Sequence, residues 1–146
     1  MHVISYVSQC RIPVIDRQNE IVNIVKSSTS KNKKWSVTGV LFLENDHFFQ
    51  TIEGRQSDVE HVYKTIQKDN RHSDIVELVN QPIDARTFEN WSLEAFYIDN
   101  PDIINPNTLK HLRELYIHNF GLDAVGLVEF VKKMIDETDS LKIRNI

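Results

Sequence analysis

The chain has 146 residues and a net charge of -4, and 40% of its residues are hydrophobic. This length and composition predict a single folded domain with its own core and exclude a wholly disordered chain. A mildly acidic protein lacks the basic surface that binds a nucleic-acid backbone through bulk charge, so we expect no direct nucleic-acid partner. The single cysteine, Cys10, excludes an internal disulfide framework and a cysteine-rich metal site.

The sequence also has no pattern of a membrane-bound or exported protein. No apolar run approaches the ~20 residues needed to span a bilayer. Residues 1–6 lack the basic segment and long apolar stretch of a signal peptide. We therefore expect a cytoplasmic protein with no membrane association and no metal.

The first two predicted elements are a strand and a helix. Residues 2–8 alternate, with Ile4 and Tyr6 on one face, and this period of two predicts a strand. Asp16 is a suitable N-cap for a helix that reaches about residue 30. Apolar and small residues recur there at helical spacing, at Ile21, Ile24, Val25 and Ser28.

A hairpin and a second helix follow. Residues 36–43 and 47–53 are rich in Val, Leu, Ile and Phe and are separated by a polar turn, which predicts two paired strands. After this hairpin, Ser57 and Glu60 have the spacing of a capping box. The helix that they would begin carries an apolar stripe at Val59, Val62, Tyr63 and Ile66.

Two further strands, at 75–79 and 91–98, complete a predicted domain over residues 1–98. The first six elements match the split β-α-β order of a ferredoxin-like fold. We therefore predict an α+β domain, a ferredoxin-like βαββαββ sheet with two helices on one face. Residues 99–146 are expected to form a C-terminal helical hairpin and a polar tail, with the hairpin packing on the other face of the sheet.

Two polar side chains interrupt the faces that the helices should cover. Tyr6 follows Ile4 on the first strand, and Gln50 lies between Phe48 and Ile52 on the third. A buried amide without a partner costs about 1–3 kcal/mol. A phenol and an amide on neighbouring central strands are unusual for a plain core, and they suit a polar, planar ligand held between the sheet and the helices.

Five motifs in order resemble the BLUF family, the blue-light sensors that use FAD. The match covers residues 2–98, beginning with the early tyrosine, Tyr6. The pattern N-x(4)-[IV]-T-G-x-L begins at Asn32, and F-x-Q-x-[LI]-E-G begins at Phe48. D-x-R-H begins at Asp69, and W-S-M appears as Trp91-Ser92-Leu93, with leucine in place of methionine.

The resemblance implies non-covalent FAD binding by a defined set of residues. Asn32 would face the N3–H and a carbonyl of the flavin ring, because an amide both donates and accepts. Arg71 would donate to the C2 carbonyl, and Ile24 and Ile66 would cover the two ring faces. The remaining cofactor-binding residues implied are Ser28, Lys31, Gln50 and His72.

The resemblance also implies a light-driven switch. An electron and a proton would leave Tyr6 for the excited flavin through Gln50, and the Gln50 hydrogen bonds would then rearrange. Trp91 and Leu93 would relay this change, and Leu93 in place of methionine predicts altered dark-state recovery or output. No net chemistry results, so the protein is not expected to be an enzyme.

The output is expected to be a change in protein contacts. About 48 residues follow Ile98, too few for an effector domain of ordinary size. We therefore expect a short, BLUF-only photoreceptor that contacts a separate signalling protein in a light-dependent way and forms a homo-oligomer. Two alternatives stay open: a ferredoxin-like enzyme that uses Asp69, Arg71 and His72, and a flavin-binding module without photochemistry.

Overall fold

The structure is a computed structural model that describes residues 1–97, except residues 45, 87, 90 and 91. The predicted order of strands and helices is confirmed over this part of the chain. The elements are β1 (His2–Cys10), α1 (Arg17–Lys34), β2 (Thr38–Glu44), β3 (His47–Gly54), α2 (Gln56–Gln67), β4 (His72–Pro82) and β5 (Glu94–Tyr97). A short 3-10 turn, Val14–Asp16, precedes α1. The predicted C-terminal hairpin lies outside the described residues.

The five strands form one sheet in the order β4-β1-β3-β2-β5. β3 pairs antiparallel with β1 and β2, β4 pairs antiparallel with β1, and β5 adds in parallel to β2. This is the expected ferredoxin-like α+β arrangement with one additional edge strand. In the register of the sheet, Gln50 lies opposite Tyr6 on one side and opposite Leu41 on the other.

Among the described residues, two apolar clusters pack between the sheet and the helices. One joins α2 to β1 and β3 and includes Ile4, Ile52 and Val59. The other joins α1 to β2 and β5 and includes Ile21 and Leu41. Burial of such side chains stabilises each helix on the sheet by roughly 1.5–3 kcal/mol per large residue. Tyr6 and Gln50 belong to the strands where these two clusters meet.

The β2–β3 pairing leaves no room for a side chain at residue 39. A Cβ atom built on Gly39 would lie 2.2 Å from the backbone oxygen of Thr51 and 3.2 Å from the Cα of Ile52. Glycine is therefore required at this position by close backbone approach.

One predicted helix cap is wrong, and the other is confirmed in its position. The capping box is wrong, because α2 begins at Gln56 after the extended residue Arg55, so Ser57 already lies inside the helix. Arg55 instead donates to Asp58 at 2.8 Å. Asp16 does occupy the N-cap position of α1. Its φ of -98° and ψ of -7° are helical, and its side chain makes no capping hydrogen bond within the described structure.

The sheet face opposite the helices also buries several apolar side chains. Val3, Val40 and Phe49 are buried there, and Val7 is half-buried. Within the described part of the chain, neither helix is long and apolar enough to cross a membrane.

Candidate functional site

A cavity of about 330 Å³ opens between α1, α2 and the helix-covered face of the sheet. This volume lies within the range of about 300–1,000 Å³ that is typical of small-molecule sites. Residues of α1, of α2 and of the sheet all contribute to its walls. The lining residues are Tyr6, Ile24, Ser27, Ser28, Lys31, Asn32, Lys34, Trp35, Leu41, Phe48, Gln50, His61, Val62, Thr65, Ile66, Asp69, Arg71 and His72.

Tyr6 and Gln50 form a hydrogen-bonded pair at the sheet wall of this cavity. The Tyr6 hydroxyl donates to Oε1 of Gln50, and the two side chains are only 2% and 6% exposed. Burial, with smaller contributions from Tyr63 and Asp69, raises the pKa of the Tyr6 phenol well above its ordinary value. The phenol is therefore protonated at neutral pH and serves as a hydrogen-bond donor.

Asn32 lies in the last turn of α1, where the helix reaches the cavity. Its side chain is 3% exposed, and Nδ2 donates to the backbone oxygen of Ser92 at 2.7 Å. The backbone oxygen of Asn32 accepts from the amide of Val37 at 2.8 Å, which turns the chain from α1 toward β2. Asn32 thus connects the cavity wall to the segment that leads into β5.

Arg71 is held at the cavity by Asp69. Arg71 Nε lies 2.9 and 3.0 Å from the two carboxylate oxygens of Asp69. Burial acts to raise the pKa of Asp69, but the hydrogen bonds and charge of Arg71 outweigh it and hold that pKa below its usual value. The same bonds raise the pKa of Arg71. A guanidinium has five N–H donors, so it can hold Asp69 and also donate to a ligand.

His72 lines the cavity with both ring nitrogens already engaged. Nδ1 lies 2.8 Å from the Ser8 hydroxyl, and Nε2 lies 2.6 Å from the backbone oxygen of Ile66. The simplest pairing has Nε2–H donating to Ile66 while Nδ1 accepts from Ser8. His72 therefore ties β4 to β1 and to the end of α2, and it forms part of the wall.

Of the other residues that the sequence assigned to the site, four line the cavity and the two proposed relay residues are not among the described residues that line it. Ile24 and Ser28, both half-buried, and the exposed Lys31 line the cavity from α1, and half-buried Ile66 lines it from α2. Leu93 is 4% exposed and belongs to the cluster between α1, β2 and β5. Trp91 lies outside the described residues.

The sequence analysis missed an aromatic pair in the cavity wall. The rings of Trp35 and His61 lie 4.0 Å apart at 34°, joining the end of α1 to the exposed side of α2. His61 lies four residues before Thr65, and this spacing could have indicated that the two share a face of α2. No sequence signal indicated its pairing with Trp35.

The arrangement suits a planar aromatic ligand with a polar edge. Amide and guanidinium groups of Asn32, Gln50 and Arg71 supply donors and acceptors, and Ile24 and Ile66 supply apolar surfaces from two different helices. The described residues contain no cluster of three or more metal-ligating side chains.

The sequence model of one family, described as sensors of blue-light using FAD (BLUF), matches residues 1–94. The chain therefore belongs to the BLUF family, a class of blue-light sensors that use a flavin. FAD contains a planar ring with one polar edge, and the donors, acceptors and apolar walls of this cavity fit that ring.

Two curated relatives show how similar domains occur in larger proteins. The blue light- and temperature-regulated antirepressor BluF of Escherichia coli is 36% identical over 77 residues, 53% of this chain and 19% of the relative. The photoactivated adenylate cyclase subunit alpha of Euglena gracilis is 30% identical over 95 residues, 65% of this chain and 9% of the relative. The chain thus spans only a small part of these relatives.

Two solved structures are similar over most of their length. The ground state of BlsA is 27% identical with a TM-score of 0.73, covering 92% of this chain and 88% of BlsA. BlrB, a BLUF protein in its dark state, is 26% identical with a TM-score of 0.73, covering 90% of this chain and 95% of BlrB.

Proposed function

We propose that this chain is a blue-light photoreceptor in which FAD binds non-covalently in the cavity and light changes the hydrogen bonding of Tyr6 and Gln50. The observation that carries the proposal is the buried hydrogen bond from the Tyr6 hydroxyl to Oε1 of Gln50 at the cavity wall. A buried phenol bonded to a carboxamide is a pair that can exchange a proton and rearrange.

The cavity residues divide the task of holding the flavin. Asn32 binds the N3–H and a carbonyl of the ring, and Arg71 donates to the C2 carbonyl. Ile24 and Ile66 cover the two ring faces from α1 and α2. The rest of the proposed binding wall consists of Ser28, Lys31, Gln50 and His72.

Tyr6 and Gln50 are the proposed switch. When bound, the flavin supplies blue-light absorption and, once excited, a one-electron oxidant. Tyr6 gives up an electron, and its hydroxyl proton leaves along the hydrogen bond to Gln50. The Gln50 amide can then rotate or change tautomer, because it both donates and accepts. After the charges recombine, Gln50 is left with a changed bonding pattern, and we expect this change to produce a small red shift of absorption.

The signal is proposed to travel toward β5. Asn32 donates to the backbone of Ser92 at 2.7 Å, and Leu93 packs in the same cluster as Leu41, the β2 residue opposite Gln50. Trp91 and Leu93 form the proposed relay. A rearrangement at Gln50 thus has a packed route to β5.

The proposed output is a change in contacts with a separate signalling protein, with no reaction catalysed by this chain. The relative BluF is named as an antirepressor, and that name is consistent with light-dependent contact with a partner. We further propose that this chain forms a homo-oligomer.

A dark-minus-lit absorption spectrum of the purified chain loaded with FAD tests the proposal. We expect a yellow protein with a reversible red shift. A yellow protein that light leaves unchanged would instead be a flavin-binding module without photochemistry. A colourless protein that hydrolyses a phosphate ester would favour an enzyme that uses Asp69, Arg71 and His72.

A further inference from the structure

A second buried tyrosine, Tyr63, contacts Tyr6. The two ring centroids lie 5.6 Å apart with an angle of 39° between the planes, and Tyr63 is 7% exposed. Tyr63 lies on α2 and belongs to the apolar cluster that contains Tyr6, but it is absent from the described residues that line the cavity. Tyr6 therefore has the cavity on one side and a second phenol on another.

Tyr63 is paired with a carboxylate. Glu77 lies directly opposite Tyr6 in the β1–β4 ladder, so its side chain emerges on the same face of the sheet. Burial and the nearby Glu77 carboxylate raise the pKa of the Tyr63 phenol to about 12, and Glu77 itself is exposed. Tyr6, Tyr63 and Glu77 thus form a contiguous group that leads from the cavity to the surface.

The two tyrosines differ in their proton acceptors. Tyr6 donates to the neutral amide oxygen of Gln50, whereas the acidic group beside Tyr63 is the carboxyl group of Glu77. A phenol becomes strongly acidic when it loses an electron, so its oxidation is favoured when a base beside it can take the proton. A carboxylate is a much stronger base than an amide oxygen. Tyr63 is therefore more easily oxidised than Tyr6, because a stronger base lies beside it to accept its proton.

We propose that Tyr63 is a second redox-active tyrosine, which reduces Tyr6 after Tyr6 has been photo-oxidised. The inference rests on the proposed function, because the light-excited flavin is the initial oxidant. One electron passes from the Tyr63 ring to the Tyr6 phenoxyl radical, and the Tyr63 hydroxyl proton passes to Glu77. Tyr6 recovers its own proton along its hydrogen bond to Gln50. The products are an intact Tyr6 phenol, a Tyr63 phenoxyl radical and a protonated Glu77, and the electron that Tyr6 first lost stays on the flavin.

This step competes with the switch. It restores the Tyr6 phenol and moves the oxidised site to Tyr63, away from the cavity. The direct recombination between oxidised Tyr6 and the flavin, which leaves Gln50 rearranged, is then bypassed. Tyr63 therefore lowers the yield of the red-shifted state and produces a longer-lived radical.

Electron paramagnetic resonance of the illuminated, FAD-loaded chain tests the proposal. We expect a tyrosyl radical in the wild type that is lost in Tyr63→Phe, which keeps the buried ring. Glu77→Gln keeps a hydrogen-bond acceptor but removes the base, so the radical yield should fall. Glu60→Gln, which removes a carboxylate elsewhere on α2, should leave the radical unchanged. An undiminished radical in Tyr63→Phe would overturn the proposal.

Two further measurements separate this proposal from the proposed function. In Tyr6→Phe the tyrosyl radical should be absent although Tyr63 is intact, because Tyr63 is oxidised only through Tyr6; a radical at Tyr63 in that variant would overturn the proposed electron transfer from Tyr63 to Tyr6. In the protein without flavin, ultraviolet titration should show a late tyrosine ionisation that is lost in Tyr63→Phe and moves to lower pH in Glu77→Gln. A normal red shift without a Tyr63-dependent radical would overturn this inference alone, whereas that radical without a red shift would overturn only the proposed switch.

Discussion

Tyr6 and Gln50 lie directly opposite each other in the β1–β3 ladder, and the Tyr6 hydroxyl donates to Oε1 of Gln50 on the face that the helices cover. The register of the two strands brings these side chains together across 44 positions of sequence. A shift of one residue in either strand would turn one of the two to the opposite face. The pairing of the sheet therefore creates the proposed switch.

Tyr6→Phe and Gln50→Leu should each abolish the light-induced red shift while FAD still binds. The first variant removes the donated proton, and the second removes the amide that rearranges. Difference spectroscopy of the FAD-loaded variants measures this directly. Gln18→Leu, the same change on the exposed part of α1, is the matched control and should retain the full shift. A full shift in either switch variant would contradict the assigned roles.

Asn32→Ala should weaken FAD binding by about 1–3 kcal/mol, or roughly fivefold to 150-fold in Kd. The amide is proposed to bind the flavin edge, and it also holds the backbone of Ser92. Titration of the flavin-free protein with FAD gives the affinity. Lys33→Ala, at the exposed neighbouring position, should bind FAD as the wild type does. Unchanged affinity in Asn32→Ala would remove Asn32 from the site.

Leu93→Met should change the rate of dark recovery without disturbing the fold. Leucine and methionine have similar volumes, so the packing cost is below about 1.5 kcal/mol. The thioether is more flexible and is a weak acceptor, and it would lie in the cluster beside Leu41. Leu43→Met, in the same cluster, is the control for a general packing effect. Identical recovery and identical light-induced changes in β5 would contradict a role for residue 93 in the relay.

Gly39→Ala should lower the free energy of unfolding by about 3 kcal/mol, because the added Cβ collides with the backbone of β3. Urea unfolding of the flavin-free variant measures the loss. Gly54→Ala is a graded comparison: its Cβ would meet the Ser36 backbone oxygen and a Val59 side-chain carbon at 3.2 Å each, so a smaller loss is expected. Equal stability of Gly39→Ala and the wild type would show that the β2–β3 spacing adjusts freely.

Stability should fall at alkaline pH partly through Tyr63. Burial and the neighbouring Glu77 raise the pKa of Tyr63 from 10.0 to about 12. A pKa that is higher in the folded state contributes stability that is complete below the unfolded value and is lost as the pH rises through the folded value. Between pH 10 and pH 12, Tyr63→Phe should therefore lose less unfolding free energy than the wild type. Parallel losses in urea unfolding at these pH values would contradict the shift.

Local patterns predicted much of this molecule because their physical causes are local. Strand alternation placed Ile4 and Tyr6 on one face, and the helix-covered cluster contains both. Helical spacing placed Ile24 and Ile66 on the stripes that line the cavity. The predicted capping box failed because a cap depends on where the chain leaves the preceding segment, and the extended Arg55 places that point before Ser57.

The sequence by itself determined the order of strands and helices, the BLUF motifs and the position of a phenol and an amide on inward faces. These follow from side-chain periodicity and from residue types at set spacings. Only the tertiary structure decided that Tyr63 contacts Tyr6, that Trp35 stacks on His61 and that Asn32 holds the backbone of Ser92. Such contacts join elements far apart in the chain, and they depend on strand register and helix packing, which no local pattern encodes.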